Sequence, residues 1–258
     1  MQVVLDGRMT ADPTAERDVV SDMLHEASAR LVRTVDGFHG DDWTAPTLLP
    51  EWSRAHVVAH LALNAEGMAR ALRGLVADPD DDGPHTMYDS DERRGQDIAE
   101  LAADAPSEIR ARLLGGVTIL VDAMDAVPVH EWEARLERTP GGRTMRADAL
   151  PGMRLRELEI HHVDLDAGYT RAQWPLAFAE HLLEAMTKRV RPEQPFEARP
   201  TDSGRTWVLG DGEARFEAEY AVPVVTGTSA DIAWWLTGRR APESLSCSGG
   251  ELPMIEGW

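Results

Sequence analysis

The segment RELEIHHVDLDAGY, residues 156–169, carries five ionisable side chains within eight positions. They are Glu157, Glu159, His161, His162 and Asp164. An α-helix repeats every 3.6 residues, so positions i and i+4 lie on the same face. Glu157 and His161 form such a pair, which makes this segment decisive for both the fold and the chemistry.

One stripe of the predicted helix combines this pair with apolar residues. Its members are Leu150, Met153, Glu157, Ile160, His161 and Asp164. The apolar members predict that the stripe faces the interior of a helical bundle. Burial of two ionisable groups is costly unless they are paired or bind a metal. Glu159 and His162 lie off the stripe; we expect Glu159 to be solvated and His162 to be a packed or surface histidine.

A second helical segment, SRAHVVAHLALNAEGMARAL at residues 53–72, has His56 and His60 at i and i+4. Two imidazoles on adjacent turns can reach one metal ion, and metal sites in bundles are built from facing helices. The spacing predicts ligands drawn from His56, His60, Glu157 and His161. It does not choose between the two histidines of this helix, and it leaves a structural ion pair as the alternative.

The order of segments predicts two domains. Amphipathic helices are expected at 14–38, 54–76, 90–126 with a break at Ala105-Pro106, and 147–166, with a hairpin around Pro140-Gly141-Gly142. These describe an antiparallel four-helix bundle over residues 1–170. Residues 171–258 predict a small α+β domain, with a helix at 176–190, short strands, a hairpin turn at Asp211-Gly212 and a helix capped by Ser229. The fold class is therefore mainly α, followed by α+β.

The bulk composition excludes several classes of function. A net charge of −19 and a pI of about 4.8 oppose binding to nucleic acid or to an anionic membrane. The single cysteine, Cys247, excludes a disulfide within the chain, and we expect it to be a packed or partly exposed thiol. The sequence shows no signal-peptide pattern and no long apolar run. We expect a cytoplasmic protein, as a monomer or small homo-oligomer.

Two segments resemble the metal-site segments of a known family. LLPEWSRAHVVAHLALNA (48–65) and GMRLRELEIHHVDLDAG (152–168) are similar to those of the mycothiol-dependent maleylpyruvate isomerases, within the DinB-like four-helix-bundle superfamily. The resemblance extends to MYDSDERRGQDI (87–98), to the hairpin and to GTSADIAWWLTGR (227–239). It therefore covers nearly the whole chain and predicts a DinB-like bundle followed by the family's C-terminal domain.

The resemblance implies a particular set of site residues. The metal ligands are His60, Glu157 and His161, with His56 excluded. Arg94 and Arg239 are implied to hold carboxylates of the substrate or the thiol, although Arg93 and Arg240 are adjacent and a slip of one place would exchange them. Three protein ligands leave a coordination position open, as in catalytic zinc sites. Zinc is the favoured ion, but other divalent ions accept the same ligands.

The expected cosubstrate is a thiol from outside the chain. A coordinating thiol becomes a thiolate near neutral pH, and Cys247 is distant in sequence from every predicted ligand. The resemblance implies mycothiol, a low-molecular-weight thiol, and a small dicarboxylate or electrophile as substrate. Asp164 is expected either to orient His161 or to cap a turn or pair with an arginine. Trp234 and Trp235 are expected in a core more often than in a pocket.

Three functions remain open from the sequence. The first, implied by the resemblance, is the isomerisation of maleylpyruvate to fumarylpyruvate by thiolate addition, bond rotation and elimination. The second keeps the site and changes the reaction to a mycothiol S-transferase that conjugates an electrophile. The third is a bundle that binds metal without catalysis, as a binding or regulatory module.

Overall fold

The computed structural model describes residues 13–77, 85–210 and 222–255. The chain divides into two compact units, Met1–Ala167 and Gly168–Trp258. The first is mainly helical and the second combines helices with a sheet. The predicted fold class is confirmed, whereas the predicted domain ranges 1–170 and 171–258 stay a prediction.

Five helices make up most of the first unit. They are α1 (Pro13–Asp36), α2 (Arg54–Ala77), α3 (Asp91–Ala102), α4 (Pro106–Ala126) and α5 (Leu150–Asp164). The bundle consists of α1, α2, α4 and α5, and α3 packs beside α2. Helix α2 is central, because it packs against α3, α4 and α5 and buries side chains on most of its surface.

The helix boundaries follow local sequence signals. The Ser90 hydroxyl caps α3 by accepting a hydrogen bond from the Arg93 backbone N–H. Pro106 begins α4, because proline is tolerated in the first turn of a helix. A short 3₁₀ helix, Ala147–Ala149, precedes α5, so the α-helix is shorter than the predicted 147–166. The helix ends at Asp164 with Leu165 as its C-cap, and the next residue, Asp166, takes a left-handed conformation at φ +49°; the predicted stop, Gly168, follows two residues later at φ +88°.

A small sheet lies on the bundle. Its strands are β1 (His85–Thr86), β2 (Arg135–Glu137) and β3 (Thr144–Arg146). Strands β2 and β3 form the predicted antiparallel hairpin, with Leu136 opposite Met145 and Gly141 in the turn at φ +68°. Strand β1 pairs in parallel with β2. Leu136 is fully buried in the same cluster as Met68 and Leu72 of α2, so the hairpin extends the bundle core.

The second unit has a four-stranded sheet and two helices. The strands are β4 (Phe196–Pro200), β5 (Trp207–Leu209), β6 (Val224–Gly227) and β7 (Ser246–Cys247), in the order β5-β4-β6-β7. The helices are α6 (Leu176–Thr187) and α7 (Ser229–Leu236), which pack on each other. The side-chain cap of α7 is Thr228, one residue before the predicted Ser229. The predicted turn at Asp211-Gly212 lies outside the described residues.

No helix within the described ranges has the length and apolarity needed to cross a membrane.

Adjacent glycines of α4 test the packing of α2 against α4. A Cβ on Gly116 would lie 3.0 Å from the Ala62 carbonyl oxygen of α2, whereas a Cβ on Gly115 would meet nothing within 4 Å. Gly115→Ala should stabilise the protein by about 0.5–1 kcal/mol through helix propensity. Gly116→Ala should be less stable than Gly115→Ala by about 1–3 kcal/mol, because the helices must separate. Urea unfolding of both variants measures the difference, and equal stabilities would contradict the close approach.

Candidate metal centre

Three side chains from two helices converge at the centre of the first unit. His60 comes from α2, and Glu157 and His161 come from successive turns of α5. Glu157 Oε2 lies 2.8 Å from His60 Nε2 and 3.4 Å from His161 Nε2. One donor atom from each of the three residues lies within 4.8 Å of the others. The structure therefore brings the three predicted ligands together, although their binding of a metal stays a prediction.

The donor set fits a divalent metal ion. Two imidazole nitrogens and one carboxylate oxygen are ligands of catalytic zinc sites. Ligands about 2.0–2.1 Å from a tetrahedral ion lie about 3.3 Å from one another. The separations of 2.8 and 3.4 Å around Glu157 Oε2 need only small side-chain movements to reach this geometry. His60 is 3 % exposed, and Glu157 and His161 are 19 % and 16 % exposed, so solvent reaches the cluster from the α5 side.

The charges in the cluster depend on one shared carboxylate. Burial favours the neutral form of Glu157, but hydrogen bonds from His161 and His60 outweigh this effect and hold the pKa of Glu157 well below its usual range. Burial also opposes a charge on His161, yet its hydrogen bonds with Asp164 and Glu157 raise its pKa. Burial lowers the pKa of His60 to about 4. Without metal, Glu157 is therefore an anion that accepts hydrogen bonds from both imidazoles, and metal binding would release protons.

Asp164 fixes the orientation of His161. Its carboxylate Oδ2 lies 2.9 Å from His161 Nδ1 and its side chain is fully buried. An acceptor at Nδ1 keeps the proton there and leaves Nε2 to face Glu157. Of the two alternatives predicted for Asp164, the structure contains the contact that orients His161.

Arg94 of α3 contacts the opposite side of the cluster. Its Nη2 donates to His60 Nδ1 at 3.0 Å, and its guanidinium lies over the Tyr88 ring at 5.5 Å. Arg94 also borders a pocket of about 170 Å³. The other lining residues are Leu63, Glu66, Gly67, Arg70, Met87, Tyr88, Asp89, Arg93 and Asp97. Arg94 thus lines the pocket and also donates a hydrogen bond to His60 of the cluster.

His56 has a separate environment. Its Nδ1 lies 2.7 Å from the Ser53 hydroxyl, and its ring lies 6.2 Å from that of Trp52. It is not part of the three-residue cluster. The geometry therefore separates the two histidines that the spacing alone could not distinguish.

Arg239 belongs to the second unit. Its Nη1 donates to the Thr237 carbonyl at 3.2 Å and its guanidinium lies over Trp234 at 5.6 Å. Trp234 and Trp235 are 4 % and 5 % exposed, in agreement with their expected place in a core. The roles of Arg94 and Arg239, and the choice of each over its neighbour, stay predictions.

The expectation that Glu159 is solvated is wrong. Glu159 is 1 % exposed and forms an ion pair with Arg30 of α1. His162 is 2 % exposed, and its Nε2 lies 2.7 Å from the Thr34 hydroxyl, also on α1. Helix α1 covers this second face of α5, whereas a single interior stripe was predicted. A polar pattern cannot distinguish a solvated face from one that is covered by polar partners.

The sequence interpretation also missed Arg154. This arginine is one turn before Glu157 on α5 and is 1 % exposed. Its position next to Met153, within the predicted interior stripe, was a signal that could have identified it.

The fold and the cluster define a class: a helical bundle with a partly buried His–Glu–His group, followed by a small α+β unit. Residues 24–166 match the family model for the mycothiol maleylpyruvate isomerase N-terminal domain, and residues 173–254 match the C-terminal domain of the same family. The chain belongs to the mycothiol maleylpyruvate isomerase family.

Two solved structures are similar to the chain. They are a mycothiol-dependent maleylpyruvate isomerase and a variant of it in which one histidine is replaced by alanine. Each is 23 % identical, with 94 % of this chain and 97 % of that chain covered and a TM-score of 0.79. This likeness supports the fold. A comparison with curated proteins finds no match.

His162 should make stability sensitive to acid. Burial, with a smaller contribution from Arg30, lowers its pKa to about 3. Between pH 6.5 and 3 the unfolded chain binds a proton that the folded chain does not, so stability falls as the pH falls. For this group the loss between pH 7 and pH 5 is about 2 kcal/mol. His162→Gln should remove that part of the loss, as measured by urea unfolding in the presence of a chelator.

The exposed His25 of α1 provides the control for this experiment. His25→Gln should retain the full loss of stability between pH 7 and pH 5. If His162→Gln retained it too, the buried imidazole would not be the group responsible.

Proposed function

We propose that this chain is a metal-dependent enzyme that uses mycothiol to isomerise maleylpyruvate, or a closely related cis diacid, to the trans product. The observation that carries the proposal is the convergence of His60, Glu157 and His161 beside Arg94. Family membership supports mycothiol as the thiol. The ligand set, with zinc as the favoured ion, is part of the proposal.

The residues around the cluster set the orientation and the protonation state of its side chains for the binding of a metal and a thiolate. A divalent ion bound here would favour the thiolate form of a coordinating thiol near neutral pH. Asp164 holds the His161 Nδ1 proton, so His161 Nε2 remains directed at the cluster. Glu157 stays ionised because both imidazoles donate to it. Ionised Glu157 offers lone pairs at pH 7, whereas the imidazoles must give up the protons that they donate to it when a metal binds.

The reaction proceeds on the double bond of the substrate. The sulfur of the thiolate forms a bond to one alkene carbon, and the electron pair of the double bond moves into the adjacent carbonyl system. The remaining single bond rotates, and the carbon–sulfur bond breaks to regenerate the thiolate and the trans alkene. Atoms and electrons balance without an oxidant or a reductant, so the only co-reactant needed is the thiol.

Arg94 is the proposed carboxylate-binding group of the first unit. Its guanidinium is planar and permanently charged, which suits bidentate contact with a carboxylate. Other arginines that line the pocket pair with carboxylates: Arg70 with Asp89, and Arg93 with Asp97. Within the described residues Arg94 has no such ion pair. It is therefore the arginine of the pocket that can bind a substrate carboxylate without breaking an ion pair.

That Arg94 is the one arginine of the pocket without an ion pair in the described ranges also favours a second candidate function. A dianion needs two cationic partners, and the pocket beside the cluster offers only Arg94 that is not paired within the described ranges. Arg239 is the proposed second partner for a diacid. Without a carboxylate contact from Arg239, a substrate with a single negative charge fits the pocket better. The second candidate function is therefore a mycothiol S-transferase that conjugates an electrophile.

His60→Ala should abolish metal binding and isomerase activity together, since the cluster loses one of three ligands. The matched control is His56→Ala, which alters the same helix one turn away and should retain both. Metal content by atomic emission and loss of the cis acid with mycothiol present measure the two effects. Full metal occupancy in His60→Ala would reject the ligand set. Metal binding without turnover in the wild type would favour the transferase or a non-catalytic module.

Arg94→Met should raise the KM for maleylpyruvate by about 10-fold to 100-fold, because a charge-assisted contact contributes about 1.5–3 kcal/mol. The control is Arg93→Met, which removes an exposed arginine paired with Asp97 and Glu100 and should leave the KM unchanged. Steady-state kinetics at saturating mycothiol distinguish them. A KM increase in Arg93→Met alone would shift the assignment by one place.

A further inference from the structure

Arg154 joins the two helices that carry the candidate ligands. It lies on α5, and its Nη1 donates to the Leu61 carbonyl at 2.8 Å and to Asn64 Oδ1 at 2.8 Å, both on α2. Leu61 directly follows His60, and Asn64 lies one turn beyond His60. Arg154 itself lies one turn before Glu157. Its side chain therefore links, by hydrogen bonds, the turn of α2 that carries His60 to the turn of α5 that carries Glu157.

The stability of the fold does not explain this arginine. A guanidinium that is 1 % exposed loses its hydration, and burial lowers the pKa of Arg154 to about 10, with Glu157 partly offsetting the effect. Its Nη2 is buried and has no hydrogen-bond partner among the described residues. A buried charge with incomplete hydrogen bonding is often replaced by an apolar side chain at no cost in stability. Its position between two ligand turns suggests another role.

We propose that Arg154 is a positioning residue that holds His60 opposite Glu157, close enough for one metal ion to be bound by both. The inference rests on the proposed metal site and extends it to a residue that does not touch the ion. Its influence also reaches Arg94, because Asn64 Nδ2 donates to the Tyr88 hydroxyl at 3.4 Å and the Tyr88 ring lies beneath Arg94. One buried side chain thus fixes both the ligands and the support of the carboxylate-binding group.

The test uses Arg154→Met in the full chain and Zn²⁺ as the probe, with affinity measured by competition with a chromophoric chelator. Loss of a nearby positive charge should by itself tighten the binding of a cation. Loss of positioning should weaken Zn²⁺ binding by at least about tenfold, as expected for a residue that orients metal ligands. The proposal predicts the weaker binding with cooperative unfolding retained. Unchanged or tighter binding would overturn it.

Three further variants distinguish positioning from a general loss of structure. Arg154→Lys keeps the charge and one donor, so it should recover part of the lost affinity. Asn64→Ala removes one acceptor and should weaken Zn²⁺ binding less than Arg154→Met, which keeps the proposal testable if Arg154→Met does not fold. Glu159→Gln is the matched control, since it disturbs a buried ion pair of α5 with α1. It should lower stability and weaken Zn²⁺ binding only by what the loss of one negative charge explains, far less than Arg154→Met; an equal loss of affinity there would reject a specific role for Arg154.

A crystal structure of metal-free Arg154→Met separates this inference from the proposed function. The distance between His60 Nε2 and Glu157 Oε2, 2.8 Å in the native chain, should lengthen beyond hydrogen-bonding range. If the wild type bound no Zn²⁺, the proposed function would fail, but this distance would still decide whether Arg154 positions His60. An unchanged distance would overturn the positioning role.

Discussion

The shared carboxylate of Glu157 is the constraint on which the centre of the first unit depends. One oxygen of this side chain faces an imidazole from α2 and an imidazole from its own helix. An ionised carboxylate is costly to bury, so this position is stable only if both imidazoles stay in place. The geometry of the site therefore depends on the register of α2 against α5. Arg154 links the two helices one turn before Glu157, and Asp164, one turn after His161, holds the ring of that histidine.

The second face of α5 fixes the rotation of the helix. Glu159 pairs with Arg30, and His162 shares a hydrogen bond with Thr34. Both partners lie on α1 and are directed away from the stripe that carries Glu157 and His161. A rotation of α5 would leave buried polar groups without partners on two sides. The helix is therefore held by polar contacts on both faces, with apolar residues such as Leu155 and Leu158 between them.

The sequence predicted the parts of this arrangement that depend on local pattern. Helical periodicity identified α1 to α5, and i, i+4 spacing placed Glu157 and His161 together. The choice of His60 over His56 needed the family resemblance, because both fit the same spacing. Glu159 was wrongly expected in solvent, since burial of a charge depends on Arg30, which is distant in sequence. Arg154 was missed although its place beside Met153 signalled burial, and no local pattern could have identified its acceptors on α2.

The location of Arg94 has a consequence for the evolution of specificity. Helix α3 buries only Ile98 and Leu101 among its described residues, whereas α2 and α5 are buried over most of their length. Substitutions that change the pocket wall on α3 therefore disturb few core contacts. A change of substrate preference would therefore cost the fold least if it arose on α3, whereas a change to the His–Glu–His cluster falls on the two helices that are buried over most of their length.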